Sequence, residues 1–240
     1  MAMFKMINQN RTKKIFLLFS FAFFLVSNNL VGQTKEEIRS LGVFQGVKIS
    51  HSIEAQLIKG DKNEVKITAS GIELERINTK IVNGTLEVNV SGRNFSTLSI
   101  KVKIIYVGIN EVSANTSSKV FIKDVLEADE VKISASTASY IEASVDARQL
   151  ILEADTKAKI FVEGTTEILG LEAYTAAEIN GENLEVEKAQ IKINTAAQVN
   201  FTVMESLKGS AATAGKAYYK GNPRIVDLKT NTGGAIERKN

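Results

Sequence analysis

The 240 residues contain no cysteine and no tryptophan, and only one proline and one histidine. Without cysteine there is no disulfide scaffold, no thiolate metal site and no cysteine nucleophile. A lone histidine lacks the partners that a histidine zinc site or a histidine-containing triad requires. An excess of one charge sign is also missing, with 30 basic side chains against 27 acidic ones. Residues 1–32 hold Lys5, Arg11, Lys13 and Lys14 and no acid; without them the count is 26 basic to 27 acidic, a net of −1. A near-neutral chain exerts no general pull on nucleic acid or acidic membranes, so no nucleic-acid partner is expected. No phosphate loop, nucleophile elbow or basic nucleic-acid motif occurs.

Long apolar runs are absent too, with one exception. Ile15 to Val26 reads IFLLFSFAFFLV and follows a basic, polar stretch. As a helix it would reach about 18 Å, short of the roughly 30 Å bilayer core. A positive segment followed by a short apolar one reads as a signal peptide over residues 1–32, cleaved near Gly32–Gln33. No cysteine follows it to carry a lipid anchor, and no later segment is apolar enough to span a membrane. The expected destination is the periplasm, the outer-membrane surface or the cell exterior.

What is present is a repeat. Thr116, Thr137, Thr156, Thr175, Thr195, Thr213 and Thr232 each precede a small residue two places on, at intervals of 18 to 21 residues. Around each, every second position is apolar or small, as in Leu152-Ala154-Thr156-Ala158-Ile160-Val162. Alternation of period two marks a strand with one buried face. Stacking such units like on like predicts an all-β chain, a right-handed parallel β-helix of about 20-residue coils. The alternation places each anchor threonine on the inward face, and one inward column reads Val120, Ile141, Ile160, Ile179, Val199 and Ile236.

Residues 41–110 form a different, antiparallel-leaning β section. Val47, Ile49, Ile53, Ala55 and Leu57 alternate as one strand, with His51 at the corner position and expected to be packed. Val65, Ile67 and Ala69 form a second strand. Asn83-Gly84 predicts a type I′ hairpin between Ile81-Val82 and Leu86-Val88-Val90. Leu98, Ile100, Val102, Ile104 and Tyr106 form another strand. This section would cover the open end of the helix, where strand edges are otherwise unpaired. No linker rich in proline, glycine or serine intervenes. The expected organisation is therefore a single domain over 41–240, with the N-terminal section at 41–110 and seven coils at 111–236.

From about Val43 to Ile236 the chain resembles the bacterial head GIN domain family of auto-transporter adhesins. The resemblance rests on Phe44-Gln45-Gly46-Val47-Lys48-Ile49-Ser50, on the turn Gly60-Asp61, and on Tyr219-Lys220-Gly221-Asn222-Pro223 near the close. Where that family repeats Ser-Gly corners, this chain uses Thr-Ala and Thr-Ser, as at Thr175-Ala176-Ala177. The resemblance implies a β-helical fold, export and a role at the cell surface. It carries no catalytic or ligand-binding residue across.

Two outward columns hold the candidate sites. Five places after each anchor lie Phe121, Glu142, Phe161, Asn180, Asn200, Tyr218 and Glu237. Phe121 and Phe161, two coils or about 10 Å apart, are the candidate binding residues, as exposed rings that would meet a sugar or a protein. Three places before each anchor lie Ser113, Ser134, Glu153, Glu172, Lys192, Ser210 and Lys229. Glu153 and Glu172 would stand about 5 Å apart, the separation of paired carboxylates in retaining glycosidases, with Asp155 diagonal to them. The column after each anchor, Ser117, Ala138, Lys157, Ala176, Ala196, Ala214 and Gly233, reads as a corner that needs small groups. Asp124, Glu127, Asp129 and Glu130 form an acidic cluster without a calcium-loop pattern, read as a solvated turn.

The sequence thus points to a non-enzymatic, secreted or surface adhesion module that needs no metal or cofactor. Its partner would be a cell-surface polysaccharide or a protein. The alternatives are a carbohydrate-active enzyme centred on Glu153, Glu172 and Asp155, and a purely structural envelope protein.

Overall fold

The computed structural model describes residues 34–92 and 99–239. The leader and Leu98 lie outside these residues. Ahead of the repeat come β1 (Lys35–Ser40), β2 (Gly46–Ile49), β3 (Glu54–Lys59), β4 (Glu64–Ser70), β5 (Ile77–Val82), β6 (Thr85–Val90) and β7 (Ser99–Tyr106). The repeat itself is β8 (Glu111–Ala114), β9 (Lys119–Ala135), β10 (Tyr140–Ala154), β11 (Lys159–Ala173), β12 (Glu178–Ile193), β13 (Gln198–Ala211), β14 (Lys216–Lys220), β15 (Ile225–Thr230) and β16 (Ala235–Arg238). From β9 to β13 each long strand pairs in parallel with the next, as a β-solenoid of roughly 19-residue coils.

The anchor threonines are not inward. Thr116, Thr137, Thr156, Thr175, Thr195, Thr213 and Thr232 are exposed. Each is the first of two consecutive residues with positive φ, for example 46° at Thr175 and 59° at Ala176. Two central residues with positive φ define a type I′ turn, and Ala177 N–H closes it on the Tyr174 carbonyl at 3.0 Å. The chain bends at the pair and re-enters with the same parity. Val112, Ala114, Ser118 and Val120 are therefore all buried on either side of an exposed Thr116. For this reason the alternation in the sequence runs through the corner as though the strand were unbroken.

Neighbouring corners hold one another. The second turn residue donates its N–H to the threonine carbonyl of the next coil, from Ser117 to Thr137 at 2.9 Å through to Ala214 to Thr232 at 3.1 Å. His51 and Ser52 have the same left-handed pair of φ values, and Ser52 N–H bonds the Thr116 carbonyl. The expected single strand from Val47 to Leu57 is accordingly two strands, β2 and β3, around a further corner. His51 is packed there, its Nδ1 accepting from Val90 N–H at 3.3 Å.

The interior is a set of aliphatic columns, one residue per coil. Val131, Leu150, Leu169, Ala189 and Leu207 make one; Val120, Ile141, Ile160, Ile179 and Val199 make another. All are buried, and each large side chain so covered is worth about 2 kcal/mol in transfer from water. Coils of unequal length are reconciled at bends. Between β9 and β10 the pairing offset is 21 at Phe121 with Glu142 and 19 at Val125 with Ser144, so a bulge absorbs the difference.

The section before the repeat mixes two pairings. β2 and β3 form a coil parallel to β8 and β9, and β6 and β7 lie parallel on its other side. Antiparallel strands then cover that end: β5 pairs β6, β4 pairs β7, and β1 pairs β4. The hairpin turn sits at Asn83-Gly84, with φ of 49° and 79°. These antiparallel strands blunt the edge that a bare coil would expose.

Among the described residues one buried side-chain group is unsatisfied. Tyr106, 2 % exposed, has no hydrogen-bond partner for its hydroxyl among the described residues. Burial, with the charge of Asp124 second, pushes this phenol up to about 12 from an ordinary 10. Tyr106→Phe is therefore expected to stabilise the fold by about 1 kcal/mol in denaturant melts. A raised phenol contributes stability that is complete below pH 10 and lost as pH rises through about 12. Melts near pH 11 should separate native protein from variant further than melts at neutral pH. A destabilised variant would show that the hydroxyl is satisfied.

Candidate functional site

Both outward columns keep the register that the sequence spacing implies. Phe121 pairs with Glu142, Glu142 with Phe161, Phe161 with Asn180, and so through Asn200 and Tyr218 to Glu237. The two phenylalanines are half-buried rather than exposed. The reason is Tyr140, whose ring fills the gap between them at centroid distances of 5.6 Å to Phe121 and 5.4 Å to Phe161. The planes are tilted by 45° and 34°, so the rings meet obliquely, at centroid distances within the usual range for aromatic pairs. Tyr140 belongs to the column of Lys119 and Lys159, two residues before Glu142. Column-by-column reading of the sequence misses it, because the contact is diagonal. Comparing neighbouring outward columns would have found it.

The ring cluster crosses three coils and has polar margins. The Tyr140 hydroxyl donates to Glu142 at 3.0 Å; burial and then this carboxylate push the phenol up to about 12. Lys123 Nζ lies 5.4 Å from the Phe121 centroid. Beside Phe161 is a hollow of about 310 Å³, lined among others by Glu142, Ser144, Glu163 and Asn180. The Ser144 hydroxyl donates to Glu163 at 2.8 Å. Such a face offers apolar ring surface and hydrogen-bonding groups together, the composition of a recognition surface.

The carboxylate column also stacks as spaced. Glu153 pairs with Glu172, and Glu172 with Lys192. Each acid is nevertheless engaged by another group. Lys132 Nζ is 2.9 Å from Glu153, and the Tyr174 hydroxyl donates to Glu172 at 2.6 Å. Lys192 Nζ stands 5.7 Å from the Tyr174 centroid. Asp155 serves the corner, accepting from Thr156 N–H at 2.6 Å. Glu153, Asp155, Glu172 and Tyr174 border a hollow of about 460 Å³.

The acidic cluster at 124–130 lies on β9, not in a turn. Asp124 accepts from Lys59 N–H at 2.7 Å, Glu127 pairs with Lys59 Nζ at 3.1 Å, and Asp129 takes a two-pronged contact from Arg148 at 2.6 and 2.9 Å. The guanidinium holds the Asp129 carboxyl below its usual range. Among the described residues no group of three or more acidic or histidine side chains is arranged for a metal ion. Nor is any helix among them long and apolar enough to cross a membrane.

Solved structures similar to this one include the following three. A "putative adhesin" of Bacteroides fragilis aligns with a TM-score of 0.78 at 18% identity, over 86% of this chain and 97% of that one. A "putative adhesin" of Parabacteroides merdae gives 0.71 at 19%, over 88% and 98%. A "putative lipid binding protein" of Parabacteroides distasonis gives 0.65 at 15%, over 87% and 98%. At these identities the likeness is one of fold. Comparison with curated proteins gives no match. The Phe-x-Gly opening, the corners from Thr116 to Thr213 and the Gly-Asn-Pro close fall within the match to a family model over residues 43–223, and the chain belongs to that family, described as "putative auto-transporter adhesin, head GIN domain".

Proposed function

We propose that the protein is a non-enzymatic adhesion module of the cell surface or exterior, and that it meets its target on the face centred on Phe121, Tyr140 and Phe161. The observation that carries this reading is the three-ring cluster, which spans three coils of an otherwise polar outward face. Family membership and the adhesin-named structural neighbours support the adhesive role. The signal-peptide pattern of residues 1–32 supports export.

The test is a binding panel of cell-surface polysaccharides, matrix proteins and envelope preparations against the purified protein. Saturable binding should fall at least about tenfold in Phe121→Ala/Phe161→Ala. Each ring is only half-buried, so the double variant should still melt cooperatively. Undiminished binding by a folded double variant would return the rings to a packing role.

A further inference from the structure

The two ends of the solenoid are finished differently. At one end antiparallel strands cover the coils, and the outermost of them, β1, carries four charged side chains among its six residues. At the other end, among the described residues, β15 pairs only with β13 and β16 only with β14, so one edge of each has no neighbour. Nothing blunts β15: it holds no proline, and its pairing with β13 runs without a bulge. The inward residues show the consequence. Val226 stacks on fully buried Leu207 yet is itself 50 % exposed, and Leu228 is only half-buried.

The backbone sets what this edge offers. Asn231 N–H donates to the Ala211 carbonyl at 3.0 Å, and successive residues of a strand turn their peptide groups to opposite sides. The odd-numbered residues of β15 therefore face β13, while Val226, Leu228 and Thr230 present N–H and C=O at the open edge. If a second copy of β15 pairs antiparallel, one register alone bonds all three: Leu228 opposite Leu228 on a two-fold axis, with Val226 opposite Thr230 on either side. The same register sets Asp227 opposite Lys229 of the other copy, and symmetry makes that pair twice. Lys208, in register with Asp227 on the inner side, completes an alternating row of Lys208, Asp227 and the second copy's Lys229. By contrast β5, an edge strand at the covered end, carries a single charge, Lys80, and has no such complement on a copy of itself. Half a coil of roughly 19 residues past Leu228 falls near Glu237. The two copies of β16 thus meet end to end, and only exposed Arg238 and Lys239 must turn aside.

We propose that the open β15 edge is a homodimer interface, at which two copies pair antiparallel about Leu228 and continue each other's aliphatic columns across a two-fold axis. Each dimer then carries the face of Phe121, Tyr140 and Phe161 twice. Sedimentation equilibrium of the protein expressed from its full chain should follow a monomer–dimer equilibrium. Asp227→Lys sets lysine against Lys229, and Lys229→Asp sets aspartate against Asp227, so each variant alone should dimerise at least about tenfold more weakly. Mixing the two variants makes every facing pair opposite in charge and should restore the dimer as a heterodimer. The double variant Asp227→Lys/Lys229→Asp should recover it with itself. Both side chains are exposed, so the variants should melt like the parent. A protein that stays monomeric up to about 1 mM, open-ended oligomers in place of a dimer, undiminished dimers in both single variants, or no recovery in the mixture would each overturn the proposal.

Discussion

Gly164→Ala should unfold the protein or cost it about 4 kcal/mol, among the largest losses available to a single added methyl. Gly164 lies in an inward column opposite Val145 and has a φ of 115°, in the region that disfavours L side chains. More decisive is the space. A Cβ there would stand 2.0 Å from the Val145 carbonyl oxygen, with the Val145 carbon at 3.0 Å. Backbone cannot rotate away as a side chain can, because that carbonyl sits within the β10–β11 ladder. Relief requires the two coils to separate, exposing aliphatic columns on both sides. Gly221 repeats the geometry one coil above Val203, again at 2.0 Å. Gly170→Ala, where an added Cβ meets nothing within 4 Å, is the internal control and should change stability by less than about 0.5 kcal/mol. Urea melts of the three proteins decide it; a Gly164→Ala midpoint equal to that of the control would refute the close approach.

Ala177→Leu should cost about 3 kcal/mol by overpacking. Ala177 is the buried residue directly after a corner, in the column of Ser118, Ser139, Ala158, Ala197, Gly215 and Gly234. Every member is small because the tight turn brings the chain back against the coil beneath before the interior widens. In the two serines the polar atom is used: the Ser118 hydroxyl donates to the Ile49 carbonyl at 3.0 Å and the Ser139 hydroxyl to Ala114 at 2.9 Å. A leucine adds three carbons to a site that is already closed, so either the corner opens or the stack shifts. The same substitution at Ala176, the exposed neighbour, should lose far less. Thermal midpoints of the two leucine variants make the comparison, and equal losses would contradict this packing account.

The ring cluster and the carboxylate column share one cause. A solenoid places the same position of each coil about 4.8 Å from its neighbour, so residues some 19 apart in sequence become a continuous surface. Phe121 and Phe161 acquire a common face only through this stacking. Glu153 becomes the neighbour of Glu172 in the same way. Neither arrangement is local. Exposed ion pairs such as Arg148 with Asp129 run between coils in the same way, but each contributes little by itself at the surface.

Much of this molecule is determined one residue at a time. Period-two alternation marks which side chains face inward, and the recurrence of a threonine every 18 to 21 residues sets which of them stack. Those two facts are enough for the solenoid, for the inward columns, and for the adjacency of Glu153 with Glu172. What periodicity could not reveal is backbone handedness at a point. A left-handed pair of residues preserves parity, so the exposed corner threonines look like inward ones, and Val47 to Leu57 looks like one strand. Contacts between different columns were equally hidden. Tyr140 closes on Phe121 and Phe161 diagonally, through ring size and tilt rather than register. The tertiary structure alone decides these, because a side chain's reach across a face depends on its rotamer and its neighbours, and neither is written in the spacing.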